Sequence, residues 1–328
     1  MAYQPSSNTT GTSTLTHLAT VFYQREALDS LRTKFMFWMG VDPKQIGQRN
    51  GKTIQFFRWG QFGANTTPKA EGQVGTGLEL TTTTVSATVA QYADFLSFSD
   101  MLVDTAINDM VAGGVRELGY RAGLTVDNLI KAEIDTAASS VDVTPNQTYY
   151  TRSDNAKIFS LLSGINVRPI TSDGYFTALA HPYVVYDFLN DPSAGGFTDI
   201  VKHDASSTGN SRLTTREDRG FVAATAGVKL YESTNVTQVS GSPNKWRTYF
   251  FGSGGVAAID LAGRGPSRVK DPMNEQFRIN VIRPGLSAAD PEGVIRAYAS
   301  YNFVFVTKIL DTNPYRFRKM DHPSSIVA

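Results

Sequence analysis

Few residues in this sequence have the types and spacing that catalysis or metal binding needs. The four histidines, His17, His181, His203 and His322, are far apart, and none stands in an H-x3-H or H-E-x-x-H zinc pattern. There is no cysteine, which excludes thiolate metal sites, cysteine nucleophiles and disulfides. No G-x-S-x-G elbow marks a serine hydrolase. The residue types therefore predict neither a metal site nor a nucleophilic catalytic centre.

Two glycine-rich motifs have part of the pattern of nucleotide-binding loops but lack its context. GQRNGKT, Gly47 to Thr53, has three residues between its glycines where a phosphate loop has four, and a strand pattern follows it. GSGGVA, Gly252 to Ala257, matches G-x-G-x-x-A, but Gly263 follows too closely for a helix that would bind a pyrophosphate. We interpret both motifs as turns between strands, and we predict no enzyme activity and no cofactor.

Length and composition indicate a globular protein without a strong global charge. The chain has 328 residues, of which 41% are hydrophobic, and this is enough for a sizeable core. Its 31 Lys and Arg against 30 Asp and Glu give a net charge of +1, so no overall field attracts nucleic acid or an anionic membrane. The first residues lack the pattern of a signal peptide, and no apolar run approaches the roughly 18 residues that span a bilayer. We expect a cytosolic protein whose contacts are local.

The first half of the chain predicts an arm, a hairpin and a long helix. Met1 to Ser13 is polar, and Leu15 to Lys34 has the spacing of an amphipathic helix. KTIQFFRW, Lys52 to Trp59, and GLELTTTTVSATVAQY, Gly77 to Tyr92, have strand composition and enclose a glycine-rich tip. An isolated hairpin is marginally stable in water, so we expect another surface to support it. From Ser99, a predicted N-cap, an apolar stripe predicts one helix to Ala138, bent at Gly113-Gly114.

The second half predicts a compact domain inserted between this helix and a returning sheet. Helix and strand patterns alternate between residues 150 and 270, from a helix near Asp154 to the strand GVAAIDL. QFRINVIR and GVIRAYASYNFVFVTKILD then predict long strands, and the basic tail NPYRFRKMDHPSS follows them. Since the last strands need a sheet, we expect them to return to the long helix. The fold class is therefore α+β.

The order of these elements resembles a tailed-bacteriophage major capsid protein of the Hong Kong 97 type. Local stretches also resemble the coat-protein family of N-four-like phages. These stretches, spread from about Thr20 to Asp311, are YQREALDSL, GKTIQFFRWGQF, AEGQVGTG followed by TVAQYADFLSFSD, ALAHPYVVYDFLND, RGFVAATAGVKLYEST and ADPEGVIRAYASYNFVFVTKILD. No single motif is diagnostic, so the resemblance depends on their order and spacing.

The resemblance implies a domain plan and a structural function. Residues 1–50 would be the N-terminal arm and helix, 51–92 the extended hairpin loop, 93–149 the spine helix and start of the peripheral domain, 150–270 the axial domain, and 271–328 the returning peripheral strands and C-terminal tail. The protein would self-assemble through hairpin-to-neighbour contacts into pentamers and hexamers, forming an icosahedral shell around double-stranded viral DNA. The alternative is the shell of an encapsulin-like protein nanocompartment.

The resemblance also implies residues and partners. The subunit interface on the hairpin would include Arg58, Trp59, Lys69, Glu71, Gly72, Gly75 and Gly77. Lys69 lies where some related shells have the donor of an isopeptide bond, although no acceptor is identified. Candidates for basic residues facing DNA are Arg316, Arg318 and Lys319. Expected partners are other copies of the chain, scaffolding, portal and decoration proteins, and packaged DNA without sequence specificity, but no membrane. The expected location is the virion capsid, assembled in the host cytoplasm.

Overall fold

The spine of the fold is a helix that packs against two β-sheets. The structure, a computed structural model, describes residues 36–47, 49–60, 62–72, 74, 77–107, 109–138, 141–191, 196, 220–261, 278–282, 296–311 and 315–327. The predicted N-terminal arm and the predicted helix from Leu15 to Lys34 lie outside these residues. The described chain begins with Met36 and a 3-10 helix, Phe37–Gly40.

The first sheet has five strands arranged around one long central strand. Its members are β1 (Asp42–Ile46), β4 (Ala90–Ser99), β10 (Val256–Leu261), β11 (Arg278–Ile282) and β12 (Arg296–Ile309). The central strand β12 pairs antiparallel with β4 from Arg296–Ser99 to Phe305–Ala90. It also pairs antiparallel with β11 and β10, and β1 lies parallel to β10. The predicted return of the C-terminal strands to a sheet is therefore confirmed.

The second sheet has six strands and contains most of the large buried aromatic residues. Its strands are β5 (Phe176–Ala180), β6 (Phe221–Thr225), β7 (Val228–Glu232), β8 (Gln238–Val239), β9 (Lys245–Phe251) and β13 (Phe317–Pro323), in the order β13-β9-β5-β7-β6 with β8 beside β9. Two helices, α3 (Arg152–Gly164) and α4 (Pro182–Leu189), belong to this part of the chain. Thr151 and Asp154 begin α3 with a capping box, and His181 caps α4 by accepting a hydrogen bond from the Tyr183 N–H at 3.2 Å.

The predicted long helix is two helices. Ser99 is the N-cap of α1 (Asp100–Thr105), as predicted, and accepts a hydrogen bond from the Leu102 N–H at 3.3 Å. The chain is then extended at Ala106, and Asp109 caps a second helix, α2 (Met110–Asp135), by accepting from the Ala112 N–H at 3.0 Å. The sequence thus missed a break between Thr105 and Met110, where Ala106 is extended and Asp109 begins a new helix.

Two segments belong to sheets that the sequence did not predict for them. The segment Ala90–Ser99 is a strand of the first sheet, although the sequence predicted that the hairpin strand would lead directly into the helix. Strand β13, expected as a basic tail, pairs with β9 along its whole length, while β10 belongs to the first sheet. In each case the partner strand is far away in sequence, and only that partner decides which sheet the strand joins.

One continuous hydrophobic core joins α2 to both sheets. The α2 stripe from Val111 to Ile134 is buried, as the sequence predicted, and Val126 and Ile130 are fully buried. Phe37 enters the same core and contacts Tyr249 edge-on, with ring centroids 5.1 Å apart. None of the described helices is both long enough and apolar enough to cross a membrane.

Candidate subunit interface

A two-stranded hairpin projects from the first sheet, as predicted. Strands β2 (Thr53–Trp59) and β3 (Thr82–Thr88) pair antiparallel from Thr53–Thr88 to Trp59–Thr82. The Gly60 N–H donates to the Thr81 carbonyl at 2.8 Å and extends the ladder by one bond. Between Gly60 and Thr81, the described residues form no strand or helix. The paired part is therefore about 24 Å long at about 3.4 Å per residue, and the tip is extended loop.

The two faces of the hairpin have different surroundings. Ile54 and Phe56 pack on a small apolar cluster that includes Ala87 of the hairpin itself and Ile46 and Ile259 of the first sheet. The hairpin base therefore has support from its own chain, which corrects the expectation that all of its support comes from elsewhere. On the opposite face, Phe57 and Trp59 remain 63% and 59% exposed.

The tip of the hairpin exposes apolar side chains that the sequence analysis did not select. Phe62, Val74, Leu78 and Leu80 are 53%, 99%, 75% and 52% exposed. Leu78 and Leu80 alternate with polar or small residues, a period of two that is typical of an extended chain with one apolar face. The alternation in GLELT is the sequence signal that points to Leu78 and Leu80.

Most of the predicted hairpin residues lie at the tip. Lys69, Glu71, Gly72 and Gly77 are all exposed, and Glu71 and Gly72 form a turn. Gly72 has a φ of +80°, a conformation that favours glycine. Gly75 lies outside the described residues. Lys69, Glu71 and Gly72 are thus neighbours in sequence within the tip, whereas Arg58 and Trp59 lie at the end of β2 that is next to the tip.

Arg58 ties the tip end of the paired hairpin strands to the C-terminal part of the chain. Its guanidinium forms an ion pair with Asp311, whose side chain is 5% exposed. Arg316 Nε lies 3.1 Å from the second oxygen of the same carboxylate. Arg58, predicted at a subunit interface, and Arg316, predicted to face DNA, therefore share one acidic partner. Both arginine side chains remain partly exposed, at 39% and 40%.

The other two predicted DNA-facing residues are held in the second sheet. Lys319 is only 2% exposed, and its ammonium lies 3.4 Å from both an Asp142 carboxylate oxygen and the Ala137 carbonyl. Arg318 Nη1 donates to the carbonyls of Tyr315 and Phe317 at 2.7 and 2.9 Å, and burial lowers the pKa of Arg318. Because Phe317–Pro323 is a strand and not a tail, Lys319 does not present its charge to solvent, which corrects its predicted role.

A second group of exposed apolar side chains lies on the segment from β4 to the start of α2, which we call the β4–α1 segment. It includes Met101 and Ile107, which are 74% and 102% exposed. The other members are less exposed and are Phe95, Leu96, Leu102 and Met110. The helix break places Ile107 in the connection between the two capped helices, away from the buried stripe of α2. This surface did not emerge from the sequence because a continuous helix was expected there.

The glycine-rich motif at Gly252 is a turn between β9 and β10, as interpreted from the sequence. A Cβ on Gly252 would lie 2.7 Å from the Arg316 carbonyl and 2.3 Å from Val167. The Gly254 N–H donates to the Asp42 carboxylate. The chain's own atoms thus fill the space that a ligand phosphate would need. In the described parts of the chain, no group of three or more His, Asp or Glu side chains is arranged to hold a metal ion.

Comparisons with known proteins identify the fold. No family model and no curated protein matches the sequence. The capsid of Ralstonia phage GP4 is similar in structure, with a TM-score of 0.65 and 13% identity over 90% of this chain and 92% of that chain. The capsid of cyanophage P-SCSP1u gives 0.58 and 12% over 89% of each chain. An encapsulin complex from Synechococcus elongatus gives 0.54 and 10%, also over 89% of each. The chain therefore has the α+β capsid fold of the Hong Kong 97 type.

Proposed function

We propose that this chain is the major capsid protein of a tailed bacteriophage and assembles into an icosahedral shell around double-stranded DNA. The observation that carries the proposal is the uncovered apolar surface of the hairpin, above all Phe57 and Trp59 on its outer face and Leu78 at its tip. Burial of one such side chain contributes about 1.5–3 kcal/mol. A neighbouring subunit would supply the cover that the hairpin's own chain does not give.

The receiving surface that we assign is the β4–α1 segment of the neighbour. A head-to-tail contact needs two different patches on every subunit, and it closes into rings such as pentamers and hexamers when the rotation fits. Met101 and Ile107 are among the most exposed large apolar residues of the described chain, so they suit the second patch. A stable contact of this kind buries about 1,000–2,000 Å². In this arrangement residues 51–92 are the extended loop, and the spine helix and first sheet of the next subunit lie beneath it.

Further parts of the proposal rest on the resemblance to phage coat proteins, including those of N-four-like phages. The second sheet with α3 and α4 would be the axial domain, and the first sheet with α2 the peripheral domain. Scaffolding, portal and decoration proteins would be partners, the packaged DNA would be bound without sequence preference, and assembly would take place in the host cytoplasm. In this function the chain has a structural and not a catalytic role.

The encapsulin neighbour is the basis of the alternative function, a cellular shell with protein cargo. Electron microscopy and cargo analysis of particles from the native source distinguish the two functions. Particles filled with double-stranded DNA support the capsid, whereas DNA-free particles that enclose a folded enzyme support the compartment.

Deletion of Gly63 to Gly77 tests the proposed assembly. We expect a variant with a short linker there to keep its fold, because both sheets and α2 are untouched, but to form no closed shells in sedimentation and negative-stain microscopy. A control replaces the same stretch with a Gly/Ser segment of equal length. If this control also fails to assemble, the side chains of the tip are required, and its length alone is not sufficient. Normal particles from the deletion variant would contradict a role for the hairpin tip in assembly.

A further inference from the structure

A fully buried carboxylate on α2 holds the first described residues of the chain. Asp127 is 0% exposed, and its two oxygens point to different donors. Oδ1 accepts a hydrogen bond from the Phe37 N–H at 3.1 Å, and Oδ2 accepts one from the Met36 N–H at 3.3 Å. These two donors begin the segment Met36–Gly40, which we call the root segment because residues 1–35 precede it.

The root segment has little freedom beyond this contact. The Phe37 ring lies edge-on to Tyr249, at 5.1 Å, and to Phe251, at 6.4 Å. A Cβ on Gly40 would lie 2.4 Å from the Phe251 ring, so only glycine allows this approach. The segment is therefore held between α2 and β9, and the two bonds to Asp127 are its polar attachment.

The charge that faces Asp127 comes from its own helix. Lys131 is one turn further along α2, and its ammonium also donates to the carbonyl and side-chain oxygens of Asn235, at 3.0 and 3.2 Å. The connection between β7 and β8 places the uncharged Asn235 side chain near Asp127. The root segment places only backbone N–H groups near it. Asp135 acts on Lys131 from the next turn. Burial raises the pKa of Asp127 to about 7, although the two backbone bonds, Asn235 and Lys131 all lower it.

We propose that Asp127 is a proton-sensitive latch for the root segment. When the carboxylate is ionised, each oxygen accepts one backbone N–H. When one oxygen carries a proton, it is a poor acceptor for the N–H that faces it, so one of the two bonds is lost. The site therefore has two bonds above its pKa and one bond below it.

The direction of the pKa shift of Asp127 shows that the loss of one bond to the root segment does not imply unfolding. The pKa of Asp127 in the folded chain, about 7, lies above the ordinary value of 3.8, so the folded state gains from the proton. Acidification from pH 8 to pH 6 thus removes a buried charge while it frees one of the two backbone N–H groups. Proton uptake at Asp127 changes how firmly the root segment is held on α2 without melting the core.

Fluorescence of Trp38, which lies within the root segment and 6.3 Å from the Phe305 ring, tests the latch. The chain has three tryptophans, so Trp59→Phe with Trp246→Phe leaves Trp38 as the reporter. In the full chain we expect its emission to titrate with a midpoint near pH 7. Asp127→Asn should abolish this titration, because the amide always offers one acceptor and one donor. Asp154→Asn is the control, since Asp154 is equally buried but hydrogen-bonds Asn146 and Thr151 instead of the root.

A titration that persists unchanged in Asp127→Asn, or one that Asp154→Asn also removes, would overturn the proposal. A second measurement needs no variant. Hydrogen exchange of the Met36 and Phe37 amides in the wild-type chain, corrected for the intrinsic pH dependence, should show that one of the two has at least about tenfold less protection at pH 6 than at pH 8. Equal protection of both amides at pH 6 and pH 8 would also contradict the proposed latch. Both measurements use the unassembled subunit, so their outcome is independent of shell formation.

Discussion

Asp311 is the residue through which the tip end of the paired hairpin strands is tied to the C-terminal part of the chain. Its carboxylate is nearly buried and pairs with Arg58 on β2 and with Arg316. Charge-assisted hydrogen bonds of this kind are about twice as strong as neutral ones. The two arginines are 39% and 40% exposed, so solvent screens part of the attraction.

We predict that Asp311→Asn lowers the free energy of unfolding by about 1–2 kcal/mol, because an isosteric amide loses both charged contacts but leaves the arginines free to hydrate. Urea denaturation of the unassembled subunit measures this loss. The control is Asp173→Asn, which removes an ion pair at 2.6 Å to Lys229 from a side chain that is 55% exposed. It should change stability by less than about 0.5 kcal/mol. Equal losses in the two variants would contradict the anchoring role of Asp311.

At the scale of elements, the break between α1 and α2 divides one apolar pattern into a buried part and an exposed part. Ile130 faces the core and is fully buried, whereas Ile107 in the break is fully exposed. The same residue type therefore has opposite surroundings within the stretch that the sequence suggested was one helix. In the proposed shell, only the exposed part would contact a neighbour.

We expect Ile130→Ala to destabilise the subunit by about 2–5 kcal/mol, because it leaves a cavity in the core. Ile107→Ala should leave the stability of the unassembled subunit within about 0.5 kcal/mol of wild type. It should nevertheless raise the protein concentration needed for shell formation, as light scattering would measure. Wild-type assembly by Ile107→Ala would remove this residue from the proposed receiving surface.

The sequence predicted the elements whose signals are local, but not the pairing that depends on distant strands. The strand composition of KTIQFFRW identified β2, the β-branched residues of GLELTTTTVSATVAQY identified β3, and the stripe from Val111 to Ile134 identified α2. Strand β4 was missed because its partner β12 lies about 200 residues further along the chain. Asp109 looked like an ordinary polar residue of a helix because capping depends on backbone angles that the sequence does not contain.

At the scale of the whole molecule, charge balance limits the interaction with DNA. The net charge is +1, and the basic residues expected to face DNA have partners within the chain, namely Asp311 for Arg316 and Asp142 for Lys319. Non-specific binding to DNA depends on cations that neutralise phosphates and release counterions. In the proposed shell, a subunit of this kind would enclose DNA without binding it strongly.

We predict that the unassembled subunit binds double-stranded DNA no more tightly than a Kd of about 10 μM in 150 mM salt, near the middle of the usual non-specific range. Fluorescence anisotropy with a labelled duplex measures this affinity and its salt dependence. Lys319→Gln should not weaken the binding further, because its ammonium is buried. Nanomolar binding with a steep dependence on salt would contradict this view.

The hairpin and the first sheet share a continuous backbone, and this has a mechanical consequence. Strand β3 ends at Thr88, Val89 bonds the Lys52 carbonyl at 3.0 Å, and β4 begins at Ala90. Tension on the arm therefore passes along covalent bonds into β4, which runs antiparallel to β12 with its hydrogen bonds across the direction of pull. When the pull is along β4, all bonds of that ladder share the load at the same time and do not open one after another. In a shell whose hairpins are stretched by internal pressure, the load would thus pass through β4 to β12, the strand that also pairs with β10 and β11.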